Sequence, residues 1–339
     1  MKNTVRSTPY IFPVVIILLG ILLLTRCESP DNNIIPKSDK EKTGFPPYIT
    51  PVNEYFVVQL FEFPAISESS YTLKITGLNG LSAELSLEEL KGLKMYEKTL
   101  TIECIGNPAN GQEFGNISWK GFSVYDLLDS LGVLNKAVSV LYHCADGYFT
   151  VNTIDELKNG GVIGALFMNG GQLPPLYGFP LRIIFPGYYG ARNPGWVTEI
   201  EVLDHEVEDF YEQDGWKTGT PTSVDSKIFF PEDNSTIYVG EELTVGGAAF
   251  GAKRIKKVEV SVDGGDSWIQ ASIIEDGGHD YEWVFWKAEI TPVETGNLIL
   301  RARATDTDGY TQPPADLIYL DGTISQPKVS LNVVERESK

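Results

Sequence analysis

The sequence of 339 residues predicts an α+β domain over residues 46–204, followed by an all-β, immunoglobulin-like sandwich over residues 227–322. Two observations carry this prediction. In the first part, short strands alternate with capping boxes that open short helices, whereas evenly spaced strands separated by turn residues fill the second part. The length and a hydrophobic content of 42% suit two packed domains. Residues 205–226 are expected to connect the domains, and residues 323–339 to form a polar tail.

The N-terminus predicts export. Residues 1–27 contain two basic residues and then a 15-residue apolar run, which is typical of a signal peptide and short for a membrane span. Cys27 follows the run directly, so we expect cleavage and lipidation there, although Arg26 stands where lipoprotein signals have a small residue. A retained N-terminal anchor is the alternative. Either way the globular part is expected outside the cytoplasmic membrane, held to it only by the N-terminus, with residues 28–45 as a disordered tether.

The elements of the first domain follow from local patterns. Capping boxes at Ser86–Glu89 and Thr153–Glu156 predict two helix starts. Ser123 is the predicted N-cap of a third helix that Gly132 closes, with apolar residues at helical spacing between them. Runs rich in β-branched and aromatic residues predict strands at 54–63, 71–75, 137–141, 181–185 and 198–202.

The second domain shows a different pattern. Strands are predicted at 241–247, 256–262, 283–289 and 297–304, with Gly- and Asp-rich turns between them. Val258, Val260 and Val262 alternate with polar residues, which is the pattern of a strand with one buried face. About 95 residues of this kind predict a β-sandwich.

The net charge and the positions of the cysteines limit the partners and the kinds of site that this protein can have. A net charge of −19 argues against nucleic acid or an anionic membrane surface as a partner. In the exported part only Cys104 and Cys144 remain, and an oxidising compartment allows them to form a disulfide. Alternatively Cys104, which ends an apolar run just before the turn-forming pair Gly106–Asn107, presents its thiol to a metal. Both interpretations stay open at this point.

Four stretches of the first domain together resemble the molybdopterin-binding domain of the sulfite oxidase family. They are Cys104-Ile105-Gly106-Asn107 with Trp119-x-Gly121, Ala145-Asp146-Gly147-Tyr148, Gly178-Phe179-Pro180-Leu181-Arg182, and Gly190-Ala191-Arg192 with Trp196. The second domain resembles the family's C-terminal sandwich through Arg254, Val258 to Gly265, Trp268 and Arg303 to Pro313. The resemblance covers about residues 50–314, with the motifs in the family's order.

This resemblance implies a molybdopterin cofactor with one mononuclear molybdenum, bound by Cys104 as the thiolate ligand. It places Arg182 and Arg192 in loops that cradle the cofactor's phosphate, a task that suits guanidinium forks. From the residues alone, these two arginines are ordinary surface or ion-pair residues. Asn107 and Asp146 are expected to position the cofactor or its loops. Tyr177 occupies the place of a family histidine beside the cofactor.

The chain also departs from family members that oxidise sulfite. Residues 56–60 lack the arginine and histidine of those enzymes, and Pro108 and Ala109 stand where basic residues follow the cysteine motif. Trp216 occupies the position of a catalytic tyrosine, and Arg254 is the remaining candidate for binding an anion. A dianion needs paired positive charge to offset its desolvation, so sulfite is not the expected substrate.

We therefore predict an extracytoplasmic molybdenum oxidoreductase that transfers an oxygen atom on a small molecule. The sequence contains no haem-attachment motif, so electrons are expected to pass to a separate carrier. The resemblance further implies a homodimer through the C-terminal domain. The alternative is a surface lipoprotein that keeps the two-domain scaffold without the cofactor and binds a ligand or partner. A Cys104–Cys144 disulfide would favour that alternative, because a bridged sulfur cannot bind metal.

Overall fold

The computed structural model describes residues 44–60, 62–314 and 318–337. Within these residues the helices are α1 (Leu87–Lys91), α2 (Val124–Ser130) and α3 (Ile154–Asn159). The strands of the first part are β1 (Thr72–Thr76), β2 (Ser82–Ser86), β3 (Met95–Glu103), β4 (Phe114–Ser123), β5 (Ser139–Cys144), β6 (Phe149–Thr153), β7 (Ile163–Met168), β8 (Gly171–Gln172), β9 (Arg182–Ile184) and β10 (Val197–Leu203). Those of the second part are β11 (Asp225–Phe230), β12 (Thr236–Tyr238), β13 (Leu243–Phe250), β14 (Ile255–Ser261), β15 (Ile269–Gln270), β16 (Ser272–Asp276), β17 (Val284–Ile290), β18 (Gly296–Asp306), β19 (Ile318–Tyr319), β20 (Gly322–Thr323) and β21 (Lys328–Val334).

The predicted helix starts are confirmed. Ser86 and Thr153 each accept a hydrogen bond from the backbone N–H of the glutamate three residues on, and that glutamate's carboxylate accepts from the cap's own N–H. The Ser123 hydroxyl accepts from the N–H of Asp126 at the start of α2. These reciprocal bonds satisfy amide groups that a helix start leaves unpaired, which is why the local sequence sufficed to find them.

The first domain consists of two sheets. In one, with order β2-β1-β10-β5-β6, β1 and β10 are parallel and the other neighbours antiparallel. The other has order β3-β4-β7-β8, with β9 also paired to β7, and is antiparallel. Phe122 and Leu166 of the second sheet belong to the large core that also contains β1, β5 and β10. Residues of the same strands whose side chains point the other way, such as Trp119 and Ala165, belong to a separate core on the opposite face of the sheet. The sheet that carries Cys104 is therefore buried on both faces.

Gly121 of the predicted motif has a structural role. A Cβ at this position would lie 2.0 Å from the carbonyl oxygen of Gly164 on the neighbouring strand β7. We expect Gly121→Ala to lower the free energy of unfolding by about 3 kcal/mol, because the backbone of a buried sheet cannot move aside cheaply. Gly171→Ala is the matched control, since its Cβ would meet its nearest neighbour at 3.7 Å. Equal denaturation midpoints for the two variants in urea would contradict this explanation.

The second domain is a sandwich of sheets β11-β13-β17-β16 and β12-β21-β18-β14-β15, with β19 and β20 forming a separate hairpin. Val258 and Val260 of β14 point into its core, as their alternation predicts. The predicted fold class, an α+β domain followed by this sandwich, is confirmed.

Three sequence predictions need correction. Described residues in 54–63 form no strand; a 3-10 turn at Val52–Glu54 comes first, and the apolar side chains pack on the β3-β4-β7 sheet without joining a ladder. Residues 323–339 are not a polar tail, because they contain β21, which pairs with both β12 and β18. The sandwich also begins earlier than predicted, since β11 starts at Asp225 within the expected connection.

The two domains share an aromatic contact surface. Phe114 of β4 stacks on Phe250 at 5.3 Å and contacts Trp283 at 5.9 Å between ring centroids. Phe45, at the end of the predicted tether, stacks on Phe285 at 5.3 Å. The N–H of Thr101 donates to the carbonyl of Tyr281 at 2.8 Å, so the second domain also covers the open edge of β3.

The predicted signal and Cys27 lie outside the described residues. Within those residues no helix has the length and apolar character needed to span a membrane.

Candidate active site around Cys104

Cys104 is the first residue after β3. Its N–H donates to the carbonyl of Glu113 at 2.9 Å, and its own carbonyl accepts from the N–H of Asn107 at 3.0 Å, so the chain turns at once. The thiol is half-buried and free, as is that of Cys144, so the two cysteines form no disulfide. Burial raises the pKa of the Cys104 thiol to about 12; Glu113 adds to the rise, and the Gly106 amide opposes it. A metal bound here would have to displace a proton.

Asn107 closes the loop that carries Cys104. It is fully buried; its amide donates to Oε1 of Glu103 at 2.8 Å, and its Oδ1 accepts from the N–H of Glu113 at 3.1 Å. These two bonds tie the end of β3 to the start of β4. Of the two roles predicted for Asn107, the geometry favours positioning the loop.

Tyr177 and Arg182 lie together beside the same sheet. The Tyr177 hydroxyl donates to the carbonyls of Val52 at 2.5 Å and Tyr55 at 3.0 Å, which fixes the irregular segment before β1. Arg182 donates through Nη1 to the carbonyl of Tyr177 at 3.1 Å and lies over the ring of Trp119, 5.5 Å from its centroid. Among the described residues Arg182 forms no ion pair. Burial lowers its pKa, as expected for a desolvated cation without a carboxylate partner.

Tyr55 is a member of this cluster that sequence reasoning missed. The centroid of its ring lies 5.7 Å from that of Tyr177, and no described residue forms a hydrogen bond with its hydroxyl. Burial raises its pKa, Arg182 opposes the rise, and Tyr177 and Cys104 add to it. The sequence predicts a strand over residues 54–63. A single tyrosine in such an apolar run gives no sign in the sequence that it belongs to a site.

Among the described residues, three buried donors in this cluster lack an acceptor: the Tyr55 hydroxyl, Nε1 of Trp119 and Nε of Arg182. Buried polar groups are almost always paired, so unpaired donors that share one neighbourhood mark the place of an acceptor-rich ligand. With the uncompensated Arg182 charge and the Cys104 thiol, this set fits a cofactor that presents phosphate and ring oxygens together with a soft metal.

Asp146 lies in the turn after β5. Its Oδ1 accepts from the N–H of Tyr148 at 3.1 Å, and burial raises its pKa. Asp146 and Arg182 both act on the pKa of Cys144 at the end of β5, in opposite directions. The predicted residues Asp146 and Arg182 are therefore close to the same strand end.

Arg192 differs from Arg182. It is buried, donates to Oε2 of Glu156 at 2.9 Å, and lies over the rings of Tyr188 at 5.1 Å and Phe185 at 5.7 Å. Glu156 already offsets its charge, although no described residue accepts a hydrogen bond from its Nε. Its role in binding a phosphate stays a prediction, and the ion-pair interpretation describes its contacts better.

Trp216 stands beside the loop that begins at Cys104, since a Cβ on Gly106 would lie 3.9 Å from its ring. It also lines a cleft of about 640 Å³ together with Arg192, Glu156, Glu206, Glu208 and Glu212. The buried Asp209 holds this segment, since it accepts from the hydroxyls of Thr150, at 3.2 Å, and Thr218. Trp216 therefore lies near Gly106 and also lines a cleft that contains four glutamates, Arg192 and Lys217.

Arg254 does not join the cluster. Its guanidinium is exposed and forms two bonds with Oδ2 of Asp276, at 2.6 Å from Nη2 and 3.2 Å from Nε. These bonds use the Nε and Nη2 side of the guanidinium and offset its charge, whereas Asp276 does not engage Nη1. A role for Arg254 in binding an anion stays a prediction, and its pairing with Asp276 reduces the charge that it could offer.

A buried charge cluster lies directly under Cys104. Nζ of Lys227 is 2.8 Å from Oε1 of Glu103 and 2.8 Å from Oδ2 of Asp225, and all three side chains are at most 2% exposed. Burial alone would lower the pKa of Lys227, but Asp225 and Glu103 raise it. Burial raises the pKa of Glu103, and Lys227 opposes the rise. The sequence did not reveal this cluster, because its members come from different domains.

Comparison with known proteins agrees with this geometry. The model of the oxidoreductase molybdopterin binding domain matches residues 60–211, and that of the Mo-co oxidoreductase dimerisation domain matches residues 219–333. Sulfite oxidase from Arabidopsis thaliana is 27% identical over 328 residues, covering 78% of this chain and 82% of the relative. Sulfite oxidase from Gallus gallus is 28% identical over 335 residues, covering 82% of this chain and 71% of the relative.

A solved structure shares the fold. The crystal structure of the sulfane dehydrogenase SoxCD from Paracoccus pantotrophus aligns with a TM-score of 0.75 at 22% identity, covering 85% of this chain and 84% of that one. This structural likeness shows the fold, and the two matched domain models with the sulfite oxidase relatives show a molybdopterin-dependent oxidoreductase. The chain belongs to the sulfite oxidase family, as its motifs predict. Its second domain is the family's dimerisation domain, which supports a homodimer.

Proposed function

We propose that this enzyme transfers an oxygen atom to or from a small substrate that carries no net negative charge, and that sulfite is not its substrate. The observation that carries the proposal is the shortage of free positive charge around Cys104. In the part of the chain that the structure describes, Arg182 has no carboxylate partner, whereas Arg192 and Arg254 pair with Glu156 and Asp276. The cleft that Trp216 lines carries four glutamates against two cations, Arg192 and Lys217, which pair with Glu156 and Asp321. A dianion desolvated here would lack the paired positive charge that it needs.

The cofactor, when bound, supplies two-electron oxygen-atom chemistry. Cys104 would provide the protein's thiolate ligand. Arg182, Trp119 and Tyr55 would donate to the cofactor's oxygens, and Arg182 would balance part of its phosphate charge. Tyr177 keeps Tyr55 in place through the carbonyl of that residue. Trp216 covers the loop on the side of the cleft and limits the access of water and large substrates.

Oxidation of a substrate by oxygen-atom transfer from water releases two electrons and two protons. We infer that the electrons leave one at a time to a separate carrier protein, since the sequence contains no haem-attachment motif. We further infer that the enzyme works outside the cytoplasmic membrane and is tethered by a lipid on Cys27. The basic and apolar segment that ends at this cysteine supports that location.

The location and the molybdenum content are tested on native protein from the membrane fraction of its own organism. We expect the protein there, with close to one molybdenum per chain by elemental analysis. Recovery of the native protein in the soluble fraction would contradict the tether. Absence of molybdenum from carefully isolated native protein would contradict the proposed role of this site.

Substrate charge is tested on the same preparation. We expect kcat/KM for sulfite to be at least about tenfold below that for a neutral oxygen donor such as dimethyl sulfoxide, because one missing charge contact already corresponds to about a factor of ten. Sulfite is assayed with an artificial electron acceptor and dimethyl sulfoxide with an artificial electron donor. Efficient sulfite turnover would overturn this part of the proposal.

A further inference from the structure

The loop between β3 and β4, residues 104–113, is here named the Cys104 loop. The second domain holds it through β11. Nζ of Lys227 donates to the carbonyls of Pro108 and Ala109, each at 3.3 Å. The N–H of Ile228, the next residue of β11, donates to Oδ1 of Asn110 at 3.1 Å. Two consecutive residues of one strand therefore fix three consecutive residues of the loop.

Lys227 also holds the chain on the other side of Cys104. Its ammonium group lies 2.8 Å from the carboxylate of Glu103, which immediately precedes Cys104. A single cation thus binds the residue before the thiol and the backbone four and five residues after it. Asp225, two residues earlier on β11, anchors the cation from its own strand at 2.8 Å.

Asp225 is itself fixed within the second domain. Its Oδ1 accepts from the side-chain amide of Gln312 at 2.8 Å and from the N–H of Ser226 at 2.6 Å. The path from the sandwich to the Cys104 loop is therefore continuous, buried and made of short polar contacts. A cluster of two carboxylates and one ammonium is a poor way to gain stability alone, because desolvation cancels most of the attraction. It is a good way to fix geometry, because charged hydrogen bonds tolerate little displacement.

We propose that Lys227 is a positioning residue for Cys104, through which the second domain sets the orientation of the thiol toward the metal. The inference rests on the proposed role of Cys104 as the metal ligand. The second domain then contributes to the metal site of its own chain, in addition to any part it has in dimer formation.

The test compares Lys227→Met with Lys287→Met in the full chain. Methionine keeps most of the length of the stem and removes the charge. Lys287 is the matched control, since it pairs with Glu289 at 3.3 Å on the exposed face of the second domain. In protein produced without molybdenum, we expect alkylation of Cys104 by iodoacetamide to be about tenfold faster in Lys227→Met, with buried Cys144 as the internal reference. In protein produced with molybdenum, we expect metal per chain to fall about threefold or more. Lys287→Met should change neither quantity.

A third variant separates positioning from folding. Lys227→Met combined with Glu103→Gln and Asp225→Asn removes all three buried charges at nearly constant shape. We expect this triple variant to regain the parent Tm to within about 3 °C, because no charge is left uncompensated. Cys104 alkylation should stay fast and metal content low, because the bonds to Pro108 and Ala109 are still missing.

Parent-like metal content and Cys104 alkylation rate in folded Lys227→Met, or in the folded triple variant, would overturn the proposal. The proposal would also be overturned if the triple variant regained the parent's metal content and alkylation rate together with its Tm, since Lys227 would then act on stability alone. If Cys104 is not the metal ligand, the result is different, because Cys104→Ser then keeps its metal. Alkylation of the metal-free protein reports on the loop in either case.

Discussion

Cys104→Ser is expected to leave a folded protein with less than about a tenth of the parent's molybdenum. The thiolate is the soft ligand that molybdenum requires, and a serine hydroxyl is both harder and far less acidic. The fold should survive, because Cys104 follows β3 and its backbone bonds to Glu113 and Asn107 do not involve the side chain. Metal per chain is measured by elemental analysis, and folding by circular dichroism.

Cys144→Ser is the matched control for that experiment. Cys144 is also a free thiol, at the end of β5, but it is buried in the large core of the first domain. This variant should lose some stability and keep its metal. Full metal retention in Cys104→Ser, or equal loss in both variants, would show that the assignment of Cys104 as the ligand is wrong.

Arg182→Met has the second-largest expected effect, with opposite consequences for function and stability. Loss of a charge-assisted bond to the cofactor's phosphate should weaken cofactor retention by about 10- to 100-fold. The Tm of the cofactor-free protein should stay the same or rise, because a desolvated cation without a carboxylate is replaced by an apolar chain of similar length. Cofactor per chain is measured as fluorescence of the oxidised pterin released on denaturation.

Arg301→Met provides the comparison. Arg301 of β18 also donates to one carbonyl, that of Pro314 at 3.4 Å, and its buried Nε is likewise unpaired. It belongs to the second domain, away from the Tyr55, Trp119 and Tyr177 cluster, so its replacement should leave the cofactor content unchanged. If Arg182→Met lowers Tm and cofactor content together, Arg182 is a structural residue and its predicted contact with the cofactor is wrong.

The sequence determined the parts of this protein that depend on neighbours along the chain. Capping boxes, the alternation of Val258 and Val260, and the Cys104 turn are local patterns, since each bond or face involves residues a few positions apart. The family motifs, which lie in compact stretches, carried the fold class and the cofactor. Local patterns could not show that Tyr55 belongs to the site or that the described residues in 54–63 join no sheet. An apolar run indicates that side chains are buried, but it does not indicate which groups its backbone bonds to.

Tertiary structure alone decided which charges are free. Arg182 and Arg192 look equivalent in the sequence, yet one is unpaired and the other is held by Glu156, 36 residues away along the chain. Arg254 is a predicted anion contact, and only the structure shows that Asp276 offsets part of its charge. Lys227 lies more than 100 residues from the Cys104 loop and from Glu103, and its role exists only because two domains meet there. Electrostatic partners are set by distance in space, which a linear pattern does not record.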